Sequence, residues 1–252
     1  GLDDVSIVSM IAVNNETGAI NDLPALADAV RRVRPQALLH TDAVQAGGWI
    51  DVAEAAADFD LISITGHKLG GPVGTGALFV RSGITLDPLL LGGGQERGRR
   101  AGTPDVAGAC ALAAAIGVTI ERRAEEIVRL GGLRDELVAG LRSALRDRVT
   151  TTVLGGGAPV AAGIAHVCFP AVEAEALLFL LDQEGLRASA ASSCSSGAQD
   201  PSHVLAAMGV PREIAQGSLR LSLGHTTTQA DIDSALAIIA PAVERLSAHG
   251  GG

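Results

Sequence analysis

The chain has 252 residues, with 19 Lys+Arg against 28 Asp+Glu and a net charge of −9. At 47% hydrophobic and 19% charged, it is not a disordered tail, and it is long enough for one large core or two smaller ones. The acidic balance argues against a nucleic-acid backbone binder, and 2% aromatic content removes the stacking platforms of single-strand binders.

In chain order, Val5–Val13 is a continuous apolar run, as a buried parallel strand requires. Pro24–Val33 reads as a helix, and Ala37–Thr41 as a short strand ending at Asp42. Val52–Ala57 is a brief helix, Phe59–Thr65 a third strand ending at Gly66-His67-Lys68, and Gly76–Arg81 a fourth strand after a glycine-rich turn. Strands alternating with helices predict an α/β layer architecture. Polar residues collect where these strands stop, at Asn14-Asn15, Asp42 and His67-Lys68, and open α/β sheets bind ligands outside the carboxyl ends of their strands.

Gly92–Gly102 is a loop rich in Gly and Arg. Thr103-Pro104-Asp105 reads as a helix start, with Thr as N-cap and Pro at the first helical position. An Ala-rich helix is expected to about Leu130, broken by Gly131-Gly132, with a second helix to about Arg148. Beyond it, Ile164–Phe169, Leu186–Ser189 and Leu219–Leu223 read as strands, and Glu173–Gln183, His203–Met208 and Ala230–Ala248 as helices. The domain reading is residues 1–115 for a first α/β domain and 116–252 for linking helices plus a smaller α+β domain. The longest apolar stretch, Val106 to Ile120, falls short of the roughly twenty residues of a membrane span. Nothing reads as a signal peptide, and no Cys/His pair has zinc spacing, so neither a metal site nor a membrane contact is expected. A reducing, cytoplasmic setting is the expectation.

Three positions carry chemistry. Lys68 is the single lysine among 19 cationic residues, the rest being arginine, and it stands at a strand end. An ε-amine can shed its proton and form a Schiff base, which a guanidinium cannot. Asp42 ends a neighbouring strand; read alone it is a strand-end cap, but a carboxylate there can also keep a ring nitrogen protonated, as pyridoxal phosphate needs. Cys194 lies in a serine-rich stretch suited to a nucleophile, whereas Cys110 and Cys168 sit in apolar stretches expected to be structural. Gly71–Gly76 lacks nucleotide-loop spacing and reads as a turn, and Ser202-His203 lacks the elbow of a hydrolase. His40, His166 and His225 have no partner at metal spacing and read as structural.

With Thr65-Gly66-His67-Lys68 and Asp42-Ala43-Val44-Gln45, the chain resembles fold-type-I pyridoxal-phosphate enzymes of the class V aminotransferase group. The stretches at 13–18, 92–97, 100–104, 201–205 and 218–224, with the Cys194 stretch, are similar to the group I cysteine desulfurases, in the same order along the whole chain. The resemblance implies the remaining roles. Lys68 would form the Schiff base, Asp42 would face the pyridinium nitrogen and Gln45 the phenolic oxygen. Asn15 would sit beside ring and substrate, Thr65, Gly66 and His67 would hold the phosphate, and Thr103 would reach the cofactor of a partner subunit in a homodimer. Arg220 would clamp the substrate carboxylate, and Cys194 would take sulfur from L-cysteine as a persulfide for an iron–sulfur scaffold or other acceptor protein. The family's N-terminal part, with a phosphate loop and a ring-stacking histidine, does not precede Gly1, so weak cofactor binding and an exposed sheet face are expected of this piece. A selenocysteine lyase, an aminotransferase of the same fold, and a binding module without catalysis stand as alternatives.

Overall fold

The computed structural model describes residues 4–190 and 202–249, and it divides into two units. One comprises residues up to Val13 together with Asn21–Arg123; the other comprises Asn14–Ile20 and the chain from Ala124 onward.

The first unit is built on a four-stranded sheet in the order β1 (Ile7–Ile11), β2 (Leu38–Asp42), β3 (Leu61–Thr65), β4 (Gly76–Val80). β1, β2 and β3 run parallel, so Asp42 and Thr65 leave the sheet at the same edge; β4 returns antiparallel, with Gly76 opposite Thr65. Helix α1 (Leu23–Val33) follows β1: the Asp22 carboxylate accepts the Ala25 N–H at 3.1 Å, Pro24 occupies the first turn, and Leu23 and Ala27 are buried. Helix α2 (Val52–Ala55) is capped in the same way by Asp51. His40 ties three strands together, its ring nitrogens lying 2.7 Å from Ser9 Oγ and 2.8 Å from Ser63 Oγ. At the opposite edge the buried Asp60 carboxylate accepts the Leu39 N–H (2.8 Å) and pairs with Arg31 (2.7 Å) and Arg81 (3.5 Å). Ile7, Leu78 and Phe79 are each about half exposed, so this unit leaves apolar sheet positions uncovered.

Helix α3 runs unbroken from Val106 to Leu145, and the division between units falls within it. The expected break at Gly131-Gly132 does not occur. A mid-helix glycine costs only about 1 kcal/mol relative to Ala. Buried Leu130, Leu137, Val138, Leu141 and Leu145 flank the pair and outweigh that cost. The helix also starts later than expected: Asp105 and not Thr103 supplies the cap, its Oδ1 accepting the Gly108 N–H at 2.9 Å. Cys110, expected in apolar surroundings, is exposed on this helix, whereas Cys168 is buried, and burial pushes its thiol up to about 12.

The second unit has a three-stranded antiparallel sheet, β5 (Thr150–Thr151), β6 (Ile164–Cys168) and β7 (Ser218–Ser222), with β6 central and every residue of it buried. Helix α4 (Ala174–Gln183) buries Ala174, Leu177 and Leu181 and packs on the last helix. Two short helices follow, α5 (His203–Ala207) and α6 (Arg212–Ala215). The last, α7 (Gln229–His249), buries Ile232, Ala235, Ile239 and Val243 at helical spacing. α7 also approaches α3 closely, since a Cβ at Gly140 would lie 2.6 Å from Leu236 Cδ1. Leu186–Ser189 is not a strand: one bridge, Ser189 to Arg220, is all that forms. Among the described residues no helix is long and apolar enough to cross a membrane.

Candidate cofactor and substrate site

The carboxyl edge of the first unit gathers six of the residues singled out from sequence. Asp42 closes β2 and accepts the Val44 N–H on Oδ1 at 2.9 Å, which opens the turn carrying Gln45. Across the sheet, Thr65 closes β3 and runs into the turn Gly66-His67-Lys68. That turn is held by Gly66, whose N–H reaches Thr75 O at 3.0 Å and whose carbonyl accepts from Leu69 and Gly71, both at 2.9 Å. Glycine leaves this turn undisturbed: a Cβ would meet Thr75 Oγ1 at 2.2 Å and Pro72 O at 3.1 Å, and one of them would have to move.

Thr65 Oγ1 donates to Thr75 O (3.0 Å) and lies 2.8 Å from His67 Nδ1. Its one proton is committed to Thr75, so His67 donates through Nδ1–H, and the Nε2 edge of this exposed ring faces away from that bond. Lys68 is exposed, and none of the described hydrogen bonds or ion pairs uses its amine.

A second set of residues belongs to the other unit. Asn14 Oδ1 accepts the backbone N–H groups of Glu16 (3.0 Å) and Thr17 (2.9 Å), fixing the turn that carries Asn15. Gly18 completes the turn with φ +77°, a conformation open to glycine. Arg220, in the middle of β7, donates from Nη1 to Asn15 O at 2.9 Å, and its Nε is buried without a partner among the described residues. His166 stands opposite Arg220 in the register of β6 and β7 and is 1% exposed. Thr152 Oγ1 lies 3.2 Å from its Nδ1, and its Nε2 has no partner among the described residues. Burial, and secondarily the charge of Arg220, pushes this imidazole down to about 4, so it is neutral beside the guanidinium. Sequence reading left His166 as a structural residue; only the strand register places it beside Arg220. Thr103 is exposed in the loop ahead of α3, and Cys194 lies outside the described residues.

The class-V aminotransferase family model matches residues 2–235. The chain belongs to that family. A class-V aminotransferase carries pyridoxal phosphate, and the carboxyl edge of the first unit is compatible with it: it offers an amine that none of the described bonds engages and a strand-end carboxylate. Among curated relatives, the chain is 44% identical over 244 residues to an IscS-like cysteine desulfurase of Mycobacterium tuberculosis, covering 96% of this chain and 61% of that one. It is 40% identical over 245 residues to the cysteine desulfurase IscS of Methanosarcina thermophila, covering 97% of this chain and 59% of that one. A solved NifS-like protein superposes with TM-score 0.86 at 32% identity, covering 96% of this chain and 62% of its own. A NifS-like protein from Rickettsia africae superposes with TM-score 0.82 at 29% identity, covering 95% and 61%. The fold is thus that of the fold-type-I pyridoxal-phosphate enzymes. The chain spans about three fifths of the length of these curated relatives.

Proposed function

We propose that the chain serves a cysteine desulfurase, taking sulfur from L-cysteine as a persulfide on Cys194 and leaving L-alanine. The observation that carries this reading is the pairing, at one sheet edge, of an unencumbered lysine with a strand-end carboxylate, in a chain whose relatives are named cysteine desulfurases. In this reading residues 1–115 are the remainder of the cofactor domain, and 116–252 are linking helices and a small domain.

The roles are those that the resemblance to the family implies, each compatible with the chemistry of its side chain. When bound, pyridoxal phosphate supplies the electron sink for carbanion chemistry at the substrate α-carbon. Asp42 would hold the ring nitrogen's proton, Gln45 would meet the phenolic oxygen, Asn15 would lie beside ring and substrate, and Thr65, Gly66 and His67 would take the phosphate. For His67 to donate to that phosphate through Nε2 it must be the imidazolium, or Thr65 must rotate its proton away from Thr75. Arg220 binds the substrate carboxylate, a task for a planar fork of donors. The Lys68 amine moves the α-proton. The Cys194 thiolate attacks the substrate sulfur; the new S–S bond forms as the C–S bond breaks, and protonation of the carbon releases alanine. Thr103 reaches the cofactor phosphate of a second subunit in a homodimer. The sulfur passes to an iron–sulfur scaffold or another acceptor protein in the cytoplasm.

The test uses the full-length protein with L-cysteine and a thiol reductant. Alanine and sulfide are expected in equal amounts, and Cys194→Ala should lose both. Turnover that survives Cys194→Ala, or a preference for selenocysteine or keto-acid acceptors, would contradict the assignment.

A further inference from the structure

The second unit holds a buried histidine that the chemistry above does not use. His166 and Arg220 stand directly opposite each other in the antiparallel pair of β6 and β7. Arg220 turns both backbone bonds away from this partner: its N–H reaches Ser189 O at 2.7 Å, and its carbonyl accepts the Ser189 N–H at 3.3 Å. Three positions along in each direction the two segments do bond, Leu223 N–H to Gly163 O at 2.8 Å and Phe169 N–H to Gly217 O at 2.9 Å. His166 and Arg220 are therefore a non-hydrogen-bonded pair, the narrow kind, with Cα atoms about 4.5 Å apart and both side chains on one face. The ring is 1% exposed; its Nδ1 lies 3.2 Å from Thr152 Oγ1, and its Nε2 has no partner among the described residues. Arg220 commits Nη1 to Asn15 O at 2.9 Å, while its Nε is buried without a partner among the described residues and no described bond engages Nη2. Burial, and secondarily the Arg220 charge, keep the ring neutral, with its pKa pushed down to about 4. A neutral imidazole carries one N–H. On Nε2 it would set a second unpaired donor beside the guanidinium. On Nδ1 it donates to Thr152 Oγ1 and leaves a lone pair at Nε2, the arrangement a neighbouring cation favours.

We propose that His166 is a positioning residue for Arg220: its Nε2 lone pair steadies the Nε side of the guanidinium, so the fork is held between His166 and Asn15 O with Nη2 left for the substrate carboxylate. This rests on the desulfurase reading above, in which Arg220 takes that carboxylate. A neutral acceptor suits the position where other side chains would not. A carboxylate there would pair with Arg220 and compete with the substrate. An apolar residue would leave a buried N–H without an acceptor, a cost that the fork escapes by turning away from its working direction. A second cation would repel it. His166 touches no substrate in this role. Arg220 holds the same carboxylate before and during the bond-making, so a loosened fork weakens capture and leaves the later chemistry largely intact.

The experiment compares His166→Leu, His166→Gln and His166→Glu in the full-length, cofactor-loaded protein, by steady-state alanine formation from L-cysteine. His166→Leu removes the acceptor, and KM should rise about tenfold, as for the loss of one buried contact to a charged group, with kcat changed by less than about twofold. His166→Gln, whose Oε1 can stand in for Nε2, should bring KM back to within about twofold of the parent. His166→Glu should raise KM beyond the leucine variant. A purely structural role predicts the reverse order, since leucine suits a buried apolar strand better than glutamine or glutamate does. A folded His166→Leu with KM within about twofold of the parent, or with kcat lowered at constant KM, would overturn the proposal. A second measurement needs no substrate: the Tm shifts of His166→Leu and Arg220→Leu should fail to add in the double variant, and strict additivity would also overturn the proposal. Should His166→Leu fail to fold, the other two variants decide: a clearly higher KM in His166→Glu than in His166→Gln supports the assignment, and equal values overturn it. If the unsubstituted enzyme forms no alanine, the desulfurase reading fails instead, and the Tm cycle still decides whether His166 and Arg220 are coupled.

Discussion

Replacement of Gly66 by Ala tests whether the turn before Lys68 is built as described. The added Cβ would stand 2.2 Å from Thr75 Oγ1, 3.1 Å from Pro72 O and 3.5 Å from Leu112 Cδ1. Thr75 is the group able to yield, and by yielding it gives up the hydrogen bond from its hydroxyl to Pro72 O, now 2.8 Å. Losing one such bond costs about 1 kcal/mol, and overpacking a tight site adds about 1–3 kcal/mol. The sum, about 2–4 kcal/mol, corresponds to a fall in Tm of roughly 4–16 °C for a protein of this size. The same displacement moves the Thr65-His67 pair and Lys68, so the absorbance band produced by adding pyridoxal phosphate should weaken well beyond the loss of stability. Thr75→Ala removes the clashing oxygen, and the double substitution Gly66→Ala/Thr75→Ala should be less damaged than the two single effects added together. Thermal unfolding and cofactor titration of the full-length protein and the three variants complete the cycle. A Gly66→Ala protein melting within about 1 °C of the parent, or strict additivity with Thr75→Ala, would refute the packing argument.

Three further outcomes are expected. Lys68→Arg should leave far-UV circular dichroism and Tm nearly unchanged, since Lys68 is exposed, yet abolish the visible Schiff-base band on cofactor addition; a retained band would remove Lys68 from its role. His166 has a pKa of about 4 in the fold against an ordinary value near 6.5, so between those values the unfolded chain binds the extra proton. Stability should therefore fall as pH drops from about 6.5 toward 4, by roughly 3 kcal/mol over the window, and the urea midpoint of His166→Asn should show a flatter pH dependence. Asp60→Ala strands Arg31 and the Leu39 N–H beside a buried gap, and urea unfolding should show a loss of about 3–5 kcal/mol; a loss below about 1 kcal/mol would mean that solvent already screens the network.

The polar strand ends were legible in the sequence because apolar runs that stop at polar residues mark strand ends without knowledge of the partner strand. Val5–Val13, Ala37–Thr41 and Phe59–Thr65 have that form, and Asp42 and Lys68 followed from them. Features governed by competition between local preference and packing were misread. Gly131-Gly132 has the weakest helix propensity available, yet the apolar residues around it keep α3 continuous. Thr103 and Asp105 are both good caps, and nothing local chooses between them. Leu186–Ser189 has strand composition, but the structure pairs it only at Ser189. Contacts across long separations left no local signal at all. Residues 14–20 belong with the second unit despite lying between two elements of the first, and Glu16 meets a serine 186 positions away. For His166, the nearest signal was its central place in an apolar run that also proved to be the central strand.

The contrast between one lysine and eighteen arginines can be judged from what the arginines do. Arg31 spans Asp60 and the carbonyls of Pro35 and Ala37; Arg123 joins Asp51 to Ile50 O; Arg129 holds Glu126 with both arms and donates to Thr227 O. Arg220 donates to Asn15 O, and Arg134 to Ala161 O. Arg31, Arg123, Arg129 and Arg134 each donate from more than one guanidinium nitrogen to different residues, which an ammonium would do less well. Coding bias toward arginine is compatible with that pattern but does not produce it. Lys68 differs in kind: among the described residues it joins no segments, and its turn is held by glycine and threonine contacts instead. A structural cation at that position would have had no reason to depart from arginine, whereas a group that must lose its proton and condense with a carbonyl could not have been arginine at all.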